Sequence, residues 1–247
     1  NGAFVANRVL IAAGSSKKLW DIIRKLGHTI VEPIASLFTF NIKDARIKGL
    51  AGISLENAEV SVANSELIEN GPLLITHWGI SGPAVLKLSS WGAFDLAHRM
   101  YYFPILINWA ANFEPEEVLS KCLAEREANP RKRIQNHAMF GVPLRLWKNL
   151  AEAVKIKSTH NWGDISNKTL NDFVGELTAS FFQVSGKSTF KDEFVTAGGV
   201  DLKEVNFKRF ESKIQPRLFF AGEILNIDAL TGGFNFQAAW TGGWLAG

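Results

Sequence analysis

The chain has 247 residues, of which 47% are hydrophobic and 21% are charged. This is enough for one large domain or two smaller ones with a sizeable core, and the composition is that of a globular protein. The sequence has no apolar run of about 18 residues and no basic segment followed by an apolar one at its start, so it predicts neither a membrane span nor a signal peptide.

Charge and cysteine content narrow the class of protein further. The net charge is +3, and Cys122 is the single cysteine. An internal disulfide is therefore excluded, which favours a cytoplasmic location. Cys122 lies in a helical pattern with no group nearby to activate a thiol, and we interpret it as a packing residue. The main basic cluster, 129–135, has no aromatic stacking platform, so we expect a solvated helix start and no nucleic-acid partner.

The first elements are typical of an α/β protein. Residues 8–14 (RVLIAAG) predict a short buried strand that ends in a glycine turn. Apolar residues at i, i+3, i+4 and i+7, starting from Leu19, predict a helix that ends at Gly27. A strand, a glycine turn and a helix in this order resemble one half of an α/β nucleotide-binding unit.

The pattern then changes to short strands with Gly and Asn turns, over residues 36–110. Such a pattern predicts a small sandwich or barrel. We expect a hairpin turn at Asn70-Gly71. One helix interrupts the strands, with Ser81 as its N-cap and Pro83 in its first turn.

The following stretch predicts helices. Pro115, Pro130 and Pro143 mark the starts of three of them, and Ser166 or Asn167 caps a fourth. Strands return after Phe181 in FFQV, EFVTAGGV and RLFFAGEIL, and a terminal helix follows. The order α/β, all-β, all-α and α/β again predicts one α/β domain that carries a long insertion, over residues 36–187.

The segment RLFFAGEILNIDALTGGFNFQAAW holds the candidate ligand site. LFFAG predicts a buried strand of a parallel sheet, and Glu223 follows it at the edge where such sheets bind ligands. Thr231 is expected at the N-cap of the last helix, with Gly232 and Gly233 in its first turn. Glycines let a ligand approach the backbone, and free N–H groups favour negative charge there. The alternative is a tight turn or close helix packing, with Glu223 as an exposed loop acid.

Other candidate residues carry weaker signals. His77 is either a substrate-facing group that titrates near neutrality or a hydrogen-bonded structural histidine in a turn, and we favour the second role. GISGP is not a nucleophile elbow, because Pro83 stands where a glycine is required. The other histidines have no metal-ligand spacing with one another or with Cys122, so we predict no metal site and assign no catalytic residue.

Several long motifs together resemble the BaiN/RdsA/YhiN-type flavoproteins, a family of FAD-dependent oxidoreductases. The strongest match is VTAGGVDLKEVNFKRFESKIQPRLFFAGEILNIDALTGGFNFQAAWTGGWLAG, which ends the chain. Further matches are LGHTI and SLFTF within 26–40, KGLAGISL at 48–55, and LLITHWGISGPAVLKLS at 73–89. The resemblance covers most of the chain and is weakest in the helical stretch.

This resemblance implies a fold and a cofactor. It implies a Rossmann-like α/β domain of the FAD/NAD(P)-binding type, formed in part by residues 1–35 and 188–247. A β-barrel-like domain at 36–113 and a helical domain at 114–187 are expected as insertions. The oxidoreductase chemistry then belongs to the flavin, with a nicotinamide as a possible reductant. The motifs specify neither the small-molecule substrate, the electron acceptor nor the oligomeric state.

The resemblance also implies roles for individual residues. Glu223 is expected to contact the ribityl chain, the Thr-Gly-Gly backbone to lie against the pyrophosphate or the pyrimidine edge of the flavin, and the turn at 12–14 to lie near the adenosine half. A helix N-terminus aimed at flavin N1 and O2 would stabilise the reduced ring. The expected cofactor-binding residues are Ala13, Gly14, Gly222, Glu223, Thr231, Gly232, Gly233, Phe234 and Asn235.

The chain also departs from the family pattern. Asn226 stands where the family often has Asp, Ala229 where it has Gly, and 234–236 read Phe-Asn-Phe instead of Tyr-Asn-Leu. No G-x-G-x-x-G fingerprint occurs, so we expect a piece of a longer protein, cut at both ends, with an incomplete FAD site. The alternative function is a non-catalytic interaction module dominated by the barrel and helical insertions.

Overall fold

The computed structural model describes residues 5–188 and 195–247. The chain forms two compact units, one from Asn1–Leu37 with Asp192–Gly247 and one from Phe38–Lys191. Glu193 and Phe194, which open the predicted strand EFVTAGGV, lie outside the described residues.

The described elements follow one another along the chain as strands and helices in mixed order. The strands are β1 (Val9–Ile11), β2 (Ile30–Ser36), β3 (Phe40–Ile42), β4 (Ser54–Val62), β5 (Ile68–Ile75), β6 (Gly79–Ser81), β7 (Tyr102–Asn108), β8 (Ser180–Lys187), β9 (Val195–Val200), β10 (Val205–Asn206), β11 (Glu211–Ser212) and β12 (Leu218–Phe220). The helices are α1 (Lys17–Lys25), α2 (Pro83–Trp91), α3 (Ala93–His98), α4 (Pro115–Ala128), α5 (Leu144–Ala153), α6 (Asn167–Thr178) and α7 (Phe234–Ala246).

The first unit contains two small sheets. One has the strand order β1-β12-β11-β10, and β2 pairs with β9 in the other. β12 is parallel to β1 but antiparallel to β11. The prediction that this strand belongs to a parallel sheet is therefore correct for one of its two neighbours only. β1 is an edge strand, and Val9 and Leu10 are nearly half exposed, so the prediction of a buried first strand is wrong.

A buried histidine, His28, links segments of this unit that are far apart in the sequence. His28 places Nδ1 2.9 Å from Glu204 Oε2 and Nε2 2.8 Å from Ser212 Oγ. The geometry is that of a Ser-His-Glu triad. However, Ser212 Oγ also accepts from the amides of Ile214 and Gln215, and Ser212 is only 6% exposed. The group is therefore a structural brace between β11 and the start of β2.

The second unit is built on a closed six-stranded barrel with the order β3-β6-β5-β4-β7-β8, which confirms the predicted barrel. Buried and more exposed residues alternate along the longer strands, as in β4 from Ala58 to Val62. The predicted hairpin turn at Asn70-Gly71 is wrong. Both residues lie inside β5 and pair with β4, and the actual turn contains Asn64 at φ +57°. A register shift in β4 between Leu55 and Ala58 lies opposite Pro72, next to this pair.

The helix after β6 begins one residue later than predicted. Ser81 ends β6, and Gly82 is the N-cap of α2 at φ +100°. A Cβ at Gly82 would lie 2.8 Å from the Pro72 carbonyl oxygen, so only glycine fits this tight exit from the strand. The segment also forms two helices instead of one, because α2 ends at Trp91 and Gly92 lies between it and α3.

The helical segment agrees with prediction at three of its four starts. α4 begins at Pro115, α5 follows Pro143, and the Ser166 side chain accepts from the Thr169 amide at the start of α6. No α-helix begins at Pro130. Its carbonyl accepts from the Gly163 amide, and neighbouring backbone groups also pair with residues 160–162, which holds the segment in a turn.

The buried face of α4 contains the single cysteine of the chain. Cys122 is fully buried in α4, and burial, with a smaller effect of Glu125, raises the pKa of its thiol to about 12, as suits a packing residue.

Within residues 5–188 and 195–247, no helix is long and apolar enough to cross a membrane. The same residues bring no three His, Cys, Asp or Glu side chains together as metal ligands.

Candidate functional site

The first unit contains a cleft of about 820 Å³. Three segments form it: residues 12–15 after β1, residues 221–223 after β12, and the loop 230–233 with one face of α7. The carboxyl ends of the parallel pair β1 and β12 thus meet the start of a helix. This is the edge at which α/β sheets bind ligands.

The cleft gathers eight of the nine residues expected to bind the cofactor. Phe234 is not among its lining residues and is 60% exposed. The lining also includes Leu37, Val195, Ala239 and Gly243, which the sequence did not indicate because only the folded chain brings them together. The eight that line the cleft are Ala13, Gly14, Gly222, Glu223, Thr231, Gly232, Gly233 and Asn235.

Glycines leave the backbone of this cleft open. Gly14, Gly222, Gly232 and Gly233 all have positive φ, between +63° and +117°. A Cβ built on Gly14 or Gly233 would meet no protein atom within 4 Å. The space next to these peptides is therefore open, and the predicted approach of a ligand to the backbone stays a prediction.

The start of α7 differs from the prediction. Gly233, in the left-handed conformation at φ +90°, is the N-cap, and Thr231 and Gly232 lie in the preceding loop. The left-handed turn favours glycine over threonine at the cap. No side chain caps this helix among the described residues, so its first N–H groups keep their partial positive charge.

Glu223 lies in a 3-10 turn, Gly222–Ile224, directly after β12. Burial raises the pKa of its carboxyl above the usual value near 4.5. Its carboxylate makes no hydrogen bond within the described part of the chain. Trp20 stabilises this turn, because its Nε1 donates a hydrogen bond to the Ile224 carbonyl oxygen at 2.9 Å. A fixed, half-buried acceptor thus borders the cleft.

The VTAGGV strand supports the same turn. Asn226 Oδ1 accepts from the Gly198 amide at 3.0 Å, and the Asn226 amide donates to the Val200 carbonyl oxygen at 3.0 Å. Asn226, one of the departures from the family pattern, therefore holds β9 against the segment that carries Glu223. Its role is to position backbone.

Helix α7 contributes an aromatic side chain to the cleft, and a second aromatic side chain stacks on it. Phe236 lines the cleft, and its ring stacks on Trp240, with centroids 5.9 Å apart and planes at 26°. Both side chains are about two-thirds exposed. The cleft therefore joins polar backbone groups with a flat apolar surface, as sites for aromatic cofactors do.

Asn235 holds the loop of the cleft in place. Its Oδ1 accepts from the Ala229 amide at 2.9 Å, and its Nδ2 donates to the Ala229 carbonyl oxygen at 2.8 Å. Since the side-chain amide is engaged in this pair, it fixes the loop 229–233 onto the first turn of α7.

We predict that Asn235→Ala costs about 1–2 kcal/mol of unfolding free energy, because two hydrogen bonds are lost and the Ala229 peptide is left unpaired. Asn235→Asp keeps the acceptor and removes the donor, so it is expected to cost less. Chemical denaturation followed by circular dichroism measures both variants. Equal stability of Asn235→Ala and the parent chain would show that the loop needs no side-chain support.

His77 lies elsewhere, on a second cleft in the barrel unit. It is exposed, and its ring makes no hydrogen bond among the described residues. The structural role favoured from the sequence required such a bond in the turn. The structure thus does not support that role.

The fold and the first cleft define a mixed α/β protein with a six-stranded barrel and a glycine-lined cleft at the ends of two parallel strands. Residues 34–195, well over half of the chain, match the family model described as HI0933-like protein barrel and H2TH domain. The chain belongs to the HI0933-like family. This confirms the resemblance to the BaiN/RdsA/YhiN-type flavoproteins.

Three curated relatives are similar over most of this chain. The ribosomal RNA dihydrouridine synthase of Escherichia coli is 29% identical over 94% of the chain, and that of Haemophilus influenzae is 29% identical over 90%. The 3-dehydro-bile acid delta(4,6)-reductase of Clostridium scindens is 24% identical over 99%. The chain covers 55%, 53% and 62% of these proteins, respectively, so it spans little more than half of their length.

Proposed function

We propose that this protein is a flavin-dependent reductase that holds FAD in the glycine-lined cleft and reduces a polarised carbon–carbon double bond. The observation that carries the proposal is the cleft itself, where open glycine backbone, a helix N-terminus and Glu223 meet at the ends of two parallel strands. We further propose that the first unit is the Rossmann-like part of the FAD domain, with the barrel at 36–113 and the helices at 114–187 as insertions.

The residues of the cleft fit FAD in chemistry and in space. A dinucleotide needs room beside the backbone, donors for phosphate oxygens, acceptors for hydroxyls and a flat apolar surface. Gly14 and Gly233 leave room, the start of α7 offers N–H donors, and Phe236 adds a ring. Glu223 offers a carboxylate with no partner of its own in the described residues. The volume of about 820 Å³ lies within the range of cofactor sites.

Each group then has a proposed role. Glu223 accepts a hydrogen bond from a ribityl hydroxyl, and 231–233 with the first turn of α7 face the pyrophosphate or the pyrimidine edge of the flavin. Ala13 and Gly14 lie near the adenosine half. The positive end of α7 stabilises negative charge on the bound group. When bound, the flavin ring supplies the hydride transfer, and a nicotinamide nucleotide is the proposed reductant.

The names of the relatives support the reaction class. Dihydrouridine is uridine with its ring double bond reduced, and a delta(4,6)-reductase reduces steroid double bonds. Two different substrates thus share one chemical change, the addition of two hydrogens across a carbon–carbon double bond. We propose this change for the present protein without choosing between the substrates. The free, buried thiol of Cys122 agrees with a reducing, cytoplasmic location.

A titration with FAD tests the proposal through a matched pair of glycine variants. Gly233 and Gly141 have similar positive φ, +90° and +74°, and a Cβ on either meets no protein atom within 4 Å. Gly233→Ala and Gly141→Ala should therefore cost similar folding energy. Gly233→Ala alone places a methyl group toward the proposed cofactor, and we expect it to weaken FAD binding at least about tenfold, or about 1.4 kcal/mol.

The readouts are the change in flavin absorbance and fluorescence on binding, with the unfolding midpoint as a check on folding. The proposal fails if the purified protein takes up no FAD, and that result favours the alternative of a non-catalytic interaction module. Equal FAD affinity of the two glycine variants would place the flavin outside this cleft.

A further inference from the structure

Positive charge is concentrated in one part of the helical segment, residues 129–160. These residues include seven Lys and Arg side chains and a single carboxylate, Glu152, so their net charge is +6. The whole chain has a net charge of only +3, and the remaining residues are therefore net negative, with 20 basic and 23 acidic side chains. The flavin proposal gives this separation of charge no role.

The fold brings the two ends of this part together. Arg133 and Asn161 form a β-bridge, and Arg133 Nη1 donates to the Ser158 carbonyl oxygen at 2.9 Å, across 25 residues of sequence. Two basic stretches, 129–133 and 155–160, thus lie side by side. We call these two stretches the basic surface.

Two buried hydrogen bonds fix the backbone beneath the basic surface. Gln135 donates through Nε2 to the Ile156 carbonyl oxygen at 2.8 Å, and Trp147 donates through Nε1 to the Ile134 carbonyl oxygen, also at 2.8 Å. Gln135 is only 3% exposed, and Trp147 is fully buried. Both stretches are therefore tied to the same core, which lowers the entropic cost of ordering them when a partner binds.

Most charges of the basic surface have no carboxylate partner. Arg131, Lys155 and Lys157 are exposed, and none of them forms an ion pair within the described part of the chain. Lys132 is the exception, because its Nζ lies 3.1 Å from Glu125 Oε1. Positive charge that the chain itself does not neutralise is available to attract an anionic partner.

The acids close to the basic surface in sequence do not cancel this charge. Asp164 is occupied by its own turn, since its Oδ2 accepts from the Asn161 amide at 2.8 Å. Glu152 is exposed on α5 and pairs with no cation of the described residues. The surface therefore stays positive.

The arrangement of the charges fits an extended polyanion. Arg131, Lys155 and Lys157 line neither of the two clefts described above. Separate exposed cations suit a polymer, because each neutralises a different phosphate and releases counterions. A membrane is a poorer fit, since membrane surfaces bind cations together with exposed apolar anchors. Within 129–160 the one large hydrophobic side chain that is clearly exposed is Leu144, at 44%.

The aromatic side chains narrow the form of the nucleic acid. Phe140 and Trp147 are the aromatic rings of 129–160, and they pack near each other, with centroids 6.4 Å apart. They offer no platform for unpaired bases, which single-strand binding requires. Double-stranded RNA is recognised through phosphates and shape instead. The expectation of no nucleic-acid partner rested on the missing platform, which a contact with the backbone alone does not need.

We propose that the basic surface binds the phosphate backbone of a folded RNA, with Arg131, Lys155 and Lys157 on the phosphates. The choice of RNA over DNA rests on the proposed function, in which an RNA base is one of two candidate substrates. The surface itself rests on the charge and geometry of the helical segment and is independent of the flavin cleft.

The test measures binding of a fluorescein-labelled RNA hairpin by anisotropy over a range of salt concentrations. The test variant is Arg131→Gln/Lys157→Gln. The control is Lys43→Gln/Lys48→Gln, which removes the same charge from exposed positions of the same unit. Loss of two phosphate contacts should weaken binding and reduce the slope of log K against log salt by about 1.4–1.8, in the test variant only. The unfolding midpoint should stay unchanged, because these exposed side chains form no ion pair within the described residues.

The remaining outcomes decide against the proposal. It is overturned if the hairpin does not bind at low salt, or if the test and control variants lose the same affinity, since net charge alone would then explain the binding. Tighter binding of a DNA hairpin of the same sequence, or of phosphatidylserine vesicles, would overturn the choice of RNA. FAD titration keeps the two proposals apart. The test variant should take up FAD like the parent chain, and a protein that binds RNA but no FAD contradicts the flavin proposal alone.

Discussion

Replacing Gly199 by alanine is expected to destabilise the first unit by about 2–5 kcal/mol. Gly199 lies in β9 at φ +121°, where a side chain is strained, and an added Cβ would lie 2.7 Å from the Ile224 carbonyl oxygen and 2.8 Å from the Leu225 carbonyl carbon. These are backbone atoms, so no rotamer change relieves the contact. The left-handed conformation costs about 1–2 kcal/mol and overpacking about 1–3 kcal/mol more.

The same substitution should also disturb the candidate site. Ile224 directly follows Glu223, and its carbonyl oxygen is the one that Trp20 holds. Movement of this turn therefore shifts Glu223 as well. Urea unfolding followed by circular dichroism measures the stability, and FAD titration of the surviving folded protein measures the site.

Gly243→Ala is the matched control for Gly199→Ala. Gly243 belongs to the same unit but lies within α7, and a Cβ there meets no protein atom within 4 Å. Alanine at a helical position should stabilise by up to about 1 kcal/mol. A Gly199→Ala protein as stable as the Gly243→Ala protein would show that β9 can move away from the turn without cost.

Local sequence signals predicted those elements whose backbone bonds are made locally. α1 and α4 follow from apolar spacing and a leading proline, and α6 follows from the cap by Ser166. Asn70-Gly71 and Pro130 carry equally strong local signals, yet their backbone groups pair with distant segments. The predictions at these two places were wrong because tertiary hydrogen bonds outweigh turn and cap preferences of about 1 kcal/mol.

The two clefts differ in how far the sequence could reveal them. The first follows a recognisable strand–turn–helix order, so the sequence pointed to Glu223 and the glycines near it, while their role toward FAD stays a prediction. The second brings together residues 43–51 and 76–79, which the pairing of β3 with β6 places side by side. Its basic side chains are far apart in the sequence, whereas the basic residues of 129–135 follow one another directly. Lys43, Lys48 and His77 could therefore not be combined before the barrel was known.

Glu223 should show opposite effects on stability and on cofactor affinity. Burial raises the pKa of its carboxyl, which means that the ionised form is held at a cost in the flavin-free protein. Glu223→Gln removes that cost, so we expect this variant to unfold at a higher temperature than the parent chain at neutral pH. Such gains are common where a functional group is kept in an unfavourable setting.

The pH dependence gives the sign of this effect. Because the pKa of Glu223 is higher in the folded state than in the unfolded state, the folded state binds the proton more tightly. The penalty exists above the folded pKa and disappears below the unfolded one, near 4.5. The advantage of Glu223→Gln should therefore be largest at neutral pH and vanish in acid. Glu32→Gln, at an exposed position of the same unit, should show no such trend.

FAD affinity should move in the other direction. If Glu223 accepts a ribityl hydroxyl, Glu223→Ala is expected to weaken FAD binding by about 1.5–3 kcal/mol, the range for a hydrogen bond to a charged group. Glu223→Gln keeps an uncharged acceptor and should lose less. A variant that is more stable without FAD and binds FAD more weakly would show that Glu223 binds the cofactor and lowers the stability of the flavin-free protein. Unchanged affinity of Glu223→Ala in a spectral titration would rule out this role, whatever the effect on stability.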